Sequence, residues 1–234
     1  MKILALDTSA KTATVALTDD RKLLASDRKN TGLTHSETML PMVVSLLDGA
    51  NVSVDEIDMF ACTVGPGSFT GVRIGVSLIK GLAFGKNKIC VGVSTLDALA
   101  RNIEGDGFIV PVMDARRSRL YSAIFKKENG TLTRLMNDDA RTVDELIAEI
   151  SKYGRDIYFV GDGYDIINGT FASTLTTQEQ LRLPNAYSVA VAALEKYEKA
   201  DDGERELMTD LMLRPEYLRP SQAERTLTSK GVIL

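Results

Sequence analysis

The chain has 234 residues, enough for one large domain or two small lobes with a proper core, and its composition, 44% hydrophobic and 26% charged, excludes a disordered chain. A formal net charge of −4 argues against a protein that grips nucleic acid alone, since such binding is driven by neutralising phosphates. A single histidine excludes a site with several histidine ligands within one chain, and the two cysteines, in the apolar runs "FACTV" and "ICVGV", read as buried reduced thiols rather than a disulfide or redox pair. The opening "MKILALDTS" turns polar after Leu6, too soon for a signal peptide, and no apolar run approaches the roughly 18 residues a membrane span needs. A cytoplasmic protein without membrane contact is expected.

In chain order, Lys2 to Leu6 predicts an apolar strand ending on Asp7, and Thr12 to Thr18 a second strand with Ala13, Val15 and Leu17 on one face. The turn "TDDRK" leads into a third at Lys22 to Ser26. Thr34 with Glu37 is a capping-box signal for a helix whose apolar positions are 39, 40, 43, 44 and 47, closed by Gly49 or Asn51. Pro41 falls in its first turns, where proline costs least. A strand at Ile57 to Val64, a helix from about Thr70 to Phe84, a strand at Ile89 to Val93 and a helix begun by Ser94 with Asp97 follow.

The second half repeats this order. "FIVPVMDA" is a strand ending on Asp114, "RLYSAIFKK" alternates as a strand, and Asn129-Gly130 turns the chain into "TLTRL". Thr142 and Glu145 cap a helix to about Lys152; "IYFVG" is a buried strand, "YDIINGTFAS" a short helix, "LRLP" a strand and "YSVAVAALEKYEKA" a helix. "ADDGERE" reads as a polar linker, and the proline-bearing tail "LRPEYLRPSQAER" as a surface segment packing back on either lobe. Two βββαβαβα lobes, residues 1–104 and 105–234, each with an Asp closing the first strand, give an α/β chain on the plan of the actin, hexokinase and Hsp70-like ATPases (the ASKHA fold).

In that fold, phosphate and Mg²⁺ lie against the hairpins after the two first strands. Asp7, Thr8 and Ser9 could offer a carboxylate and hydroxyls, with Asp114 as the second-lobe counterpart. Gly161 and Gly163 of "GDGYD" could face an adenine or form a plain turn. The second hairpin lacks glycines that let amides approach phosphate, and "TVGPGSFTGVRIGVSLIKGLAFG" lacks the Gly-Lys-Ser/Thr ending of a Walker loop. Arg116, Arg117 and Arg119 form the one tight basic cluster, either a solvated hairpin or a contact for partner, nucleotide phosphate or tRNA.

Inside the helix of that glycine-rich stretch, small residues fall at Gly71 and Gly75, then at Ser77, Gly81 and Gly85, each four apart. The spacing reads as one smooth face that lets another backbone come close. Each interior glycine costs about 1 kcal/mol relative to alanine, so a packing gain must offset it. That packing is with the preceding helix, Glu37 to Leu47, or with another protein. Val72, Val76, Ile79 and Ala83 supply the opposite face for a sheet.

"DTS", "HSETMLPMV", "VGPGSFTGVRIGVSLIKGLAFG", "VSTLDALA", "PVMDARRSRLYSAIF" and "YLRPSQAER" together resemble the TsaB (YeaZ) family of bacterial tRNA threonylcarbamoyladenosine biosynthesis proteins, over nearly the whole chain. The resemblance implies a noncatalytic scaffold that supports the related enzyme TsaD, with the ATPase TsaE joining, in making N6-threonylcarbamoyladenosine at position 37 of tRNA. It implies no required cofactor, although ATP or ADP with Mg²⁺ could bind weakly, and contact with tRNA only through the complex. TsaD-type enzymes hold a metal through paired histidines on the first helix; His35 stands here with Met39 four residues on, so the pair is broken, no metal is implied and a metallopeptidase reading is unfavoured. Pairing with TsaD, or with a second copy when alone, is implied through the two first-lobe helices. The residues are His35, Met39, Val43, Val44 and Leu47 on one, and Gly71, Ile74, Gly75, Leu78, Gly81 and Leu82 on the other. The two assemblies would exclude each other. A small ATPase or kinase of the same fold is the competing reading.

Overall fold

The computed structural model describes residues 1–30, 34–154, 157–167, 169, 174–175 and 177–219. The first half runs β1 (Lys2–Asp7), β2 (Ala13–Asp19), β3 (Lys22–Lys29), α1 (His35–Ala50), β4 (Met59–Gly65), α2 (Phe69–Ala83), β5 (Ile89–Ser94) and α3 (Thr95–Ala100). The second runs β6 (Gly107–Asp114), β7 (Arg119–Glu128), β8 (Thr131–Thr142), α4 (Val143–Ile150), β9 (Ile157–Val160), α5 (Tyr164–Ile167), β10 (Thr174–Leu175), α6 (Ala186–Lys199) and α7 (Asp202–Glu206).

The duplication is present in the sheets. One has the order β3-β2-β1-β4-β5 and the other β8-β7-β6-β9-β10. In each, the first strand pairs antiparallel with its hairpin partner and parallel with the strand after the helix. Their apolar runs are continuous because both faces are covered. On β1, Leu4 and Leu6 join α1 and α2 in one core, while Ile3 and Ala5 face α6 in another; the alternation is the strand's two-residue period.

The helices do not respect a boundary at residue 104. α6, from the second half, covers the first sheet through Ala186, Val189, Ala190 and Ala193. α3, from the first half, packs Leu96, Leu99 and Ala100 against Ile109, Met113 and Phe125 of the second sheet. Arg101 joins the exchanged helices, bonding Asp97 at 2.7 Å and Glu195 at 2.9 Å.

Three local expectations need correction. "LRLP" is no strand: a 3-10 turn spans Glu179–Arg182, and β10 is the second sheet's edge. The carbonyls of Leu181 and Leu183 are taken by the buried Asn102 side chain, both at 2.9 Å, and Arg182 folds back onto the Thr177 carbonyl, so the segment's polar groups are satisfied without a ladder. The "ADDGERE" linker contains α7, capped reciprocally by Asp201 and Glu204. Pro41 lies inside α1, beyond the start where proline is best tolerated. Among the described residues no helix is long and apolar enough to cross a membrane.

Candidate functional site

The glycine-rich connection from β4 to α2 closes over the first hairpin. Asp7 is fully buried; its Oδ1 accepts the Ser9 amide at 2.7 Å and the Thr63 hydroxyl at 2.9 Å. Burial pushes its carboxyl above the usual carboxylate range. Thr8 Oγ1 donates to the Gly71 carbonyl at 2.7 Å, and the Ser68 amide donates to the Ser9 carbonyl at 2.7 Å. Ser68 also caps α2, accepting the Gly71 amide at 3.2 Å. The Asp7, Thr8 and Ser9 side chains are all buried, and Asp7 Oδ2 and Ser9 Oγ have no hydrogen-bond partner among the described residues.

The same contacts revise the glycine face. A Cβ on Gly71 would lie 2.0 Å from the Thr8 carbonyl oxygen, and one on Gly75 2.5 Å from Thr8 Oγ1. Both glycines therefore serve the chain's own hairpin, not a partner. Gly81 has nothing within 4 Å and is exposed. His35 Nε2 lies 2.7 Å from the Ala10 carbonyl oxygen, which can only accept, so this nitrogen carries the proton and ties the start of α1 to the hairpin. With His35 so engaged and Met39 buried in the core, the first helix does not fit a metal held by paired side chains.

Of the expected docking residues on α1, Met39, Val43 and Leu47 are buried in the core beneath it, because positions four apart there track the stripe facing β2. Val44 is 49% exposed, and beside it Leu40, absent from the expected set, is 48% exposed. On α2, Ile74, Leu78 and Leu82 are half-buried, with the last two edging onto the core. Leu40, Val44, Ile74, Leu78, Gly81 and Leu82 thus form the outward side of the helix pair. Leu40 belongs to the apolar set 39, 40, 43, 44 and 47, whose spacing alone does not say which members face outward.

In the second lobe, Asp114 is exposed and accepts the Arg116 amide at 2.7 Å, while its own amide reaches Asp162 Oδ1 at 3.2 Å. Asp162 is exposed as a residue, but desolvation of its carboxyl in the turn after β9, with Asp114 nearby, raises that carboxyl above its ordinary range. Gly161 and Gly163 bring the β9 turn against β6: a Cβ on Gly161 would sit 2.1 Å from the Val112 carbonyl oxygen, and the Gly163 amide donates to that carbonyl at 3.1 Å. Arg116, Arg117 and Ser118 have φ of 62°, 55° and 57°. Three consecutive left-handed residues other than glycine cost roughly 1–2 kcal/mol each. Arg119 turns inward to the Ala140 carbonyl at 3.0 Å, whereas Arg116 and Arg117 are exposed.

The tail after α7 borders both regions. Tyr217 stacks on Phe69 of α2 with centroids 4.6 Å apart, and Arg73 lies 3.9 Å above the Phe69 ring. Cavities of about 360 and 320 Å³ run along β5, α6 and this tail, sharing Val64, Gly92, Lys196 and Glu216; none of the residues expected to hold a nucleotide lines them. Cys90 borders the larger one with its thiol pushed up to about 12 by burial, and Cys62 is raised further by the same cause. Both are free and buried, as their strand context implied.

Residues 29–227 match the family model described as TsaD: tRNA N6-adenosine threonylcarbamoyltransferase. The tRNA threonylcarbamoyladenosine biosynthesis protein TsaB of Bacillus subtilis (strain 168) is 30% identical over 225 residues, 96% of each chain. The chain belongs to the TsaB (YeaZ) family. YeaZ from Pseudomonas aeruginosa superposes with a TM-score of 0.75 at 26% identity, covering 93% of this chain and 99% of that one. Component A of the (R)-2-hydroxyglutaryl-CoA dehydratase of Acidaminococcus fermentans, at 11% identity and a TM-score of 0.53 over 85% of this chain and all of that one, shares the fold alone. The duplicated sheet order is the two-lobe plan that the element order predicted.

Proposed function

We propose that this chain acts in tRNA threonylcarbamoyladenosine biosynthesis as a subunit without catalysis of its own. It docks the outward side of α1 and α2 onto a TsaD-type enzyme, with a TsaE-type ATPase joining the assembly. The observation that carries the reading is the near full-length match to a protein named for that pathway. The match of residues 29–227 to the TsaD model adds to it, since it makes the chain a relative of the enzyme it would support. An apolar helix-pair surface fits this role, because a partner of related fold can present a similar pair in return. Used by a second copy when the chain is alone, the same surface would make homodimer and mixed complex mutually exclusive.

In cells depleted of the chain, nucleoside mass spectrometry of tRNA is expected to show loss of threonylcarbamoyladenosine. Restoration by the wild type and failure of Gly81→Glu, a position with nothing within 4 Å to disturb the fold, are the predicted outcomes. Normal modification in depleted cells would sink the proposal.

A further inference from the structure

The segment Leu213–Arg219 is fastened at five points to two separate parts of the molecule. Lys80 of α2 donates to the Leu213 carbonyl at 3.3 Å, and the Glu216 amide donates to the Val64 carbonyl at 2.7 Å. Tyr217 stacks on Phe69, and its hydroxyl accepts from Arg73 Nε at 2.6 Å. Arg219 then crosses to the second lobe, where its Nη1 donates to the Ala115 carbonyl at 2.9 Å. Two residues of chain span roughly 7 Å at most, so the residue anchored on α2 and the residue that reaches Ala115 lie close along the segment.

Ala115 opens the turn in which Arg116, Arg117 and Ser118 are all left-handed. Such backbone persists only where its surroundings over-determine it. Two of the bonds that hold it are local, Ala115 amide to Arg119 carbonyl at 2.9 Å and Arg116 amide to Asp114 Oδ1 at 2.7 Å. The Arg219 bond arrives from outside the lobe's own sheet. We propose that Leu213–Arg219 is a strap that holds this turn in its left-handed form and couples it to the N-terminal end of α2, so that the helix and the turn move as one unit. The inference stands apart from the partner assignment, since it concerns only contacts within this chain.

Limited trypsin digestion of the full chain reads the turn directly, because Arg116 and Arg117 are exposed. When opening is fast relative to cleavage, the rate follows the open population. Arg219→Ala is expected to raise cleavage after Arg116 and Arg117 about fivefold through loss of one hydrogen bond. Tyr217→Ala is expected to raise it comparably, although Tyr217 is anchored on α2 and not on the turn. Cleavage after Lys29, at the far end of β3, should keep its wild-type rate in both and so report intact folding. If Tyr217→Ala also speeds cleavage at Lys29, Phe69→Leu removes the same stack from the helix side. Unchanged turn cleavage in Arg219→Ala would overturn the proposal. So would acceleration in Arg219→Ala with none in the Tyr217 or Phe69 variant, because the turn would then be held without α2.

Discussion

Gly71 and Gly75 press against Thr8, whereas Gly81 meets open space. Their spacing in sequence predicted a single smooth face, and the geometry of the helix explains why it is two. Six residues, from Gly75 to Gly81, turn an α-helix through about 240°, so the second set cannot continue the face of the first. That an interior glycine needs a compensating contact was legible; that the contact was the hairpin at Thr8 was not, because residue size does not say which neighbour fills the space. The two sites respond oppositely to alanine. Gly71→Ala must displace the Thr8 carbonyl and is expected to destabilise the fold by about 1–3 kcal/mol, as overpacking does. Gly81→Ala gains helix propensity with no clash and is expected to stabilise it by about 1 kcal/mol. Urea unfolding of the two variants checks both signs.

At the scale of elements, the capped and periodic ones were legible almost to the residue. Thr34, Ser94 and Thr142 each precede a helix, as read from their side-chain chemistry, and Asn129 and Gly130, both at positive φ, turn β7 into β8. α7 carried the same kind of signal, Asp201 with Glu204, under a polar composition that reads as linker. The missed 3-10 turn at Glu179–Arg182 depends on Asn102, some eighty residues away, and local pattern could not have announced it. Asn102 makes three of the four hydrogen bonds open to its side chain there, donating to the Leu181 and Leu183 carbonyls and accepting from the Ser188 hydroxyl at 2.7 Å. Asn102→Ala removes the Asn102 bond from three polar groups, one buried and two part-buried. A melting temperature lower by roughly 5–10 °C is expected, with calorimetry as the check; a shift under 2 °C would show the segment to be held by other contacts.

Across the whole molecule, the duplicated element order predicted two matching sheets, and the sheets do match strand for strand. Hidden from the sequence was the exchange of α3 and α6 between them, since an apolar stripe shows that a helix packs but not on which sheet. The same limit explains the docking face. Periodicity marked α1 as amphipathic, yet only the packed structure separates the buried set Met39, Val43 and Leu47 from the outward pair Leu40 and Val44. Charges placed on that pair should block a partner without touching the core. Leu23 and Leu24 on β3, 44% and 42% exposed, are an equally apolar control on a strand and on neither helix. The decisive measurement is calorimetric titration of each double variant into the TsaD enzyme of the same organism. Leu40→Glu with Val44→Glu should weaken binding about 100-fold or more, the loss of a buried hot spot, while Leu23→Glu with Leu24→Glu stays within about threefold of the wild type. Wild-type affinity in the helix variant, or a loss confined to the β3 variant, would contradict docking through α1 and α2.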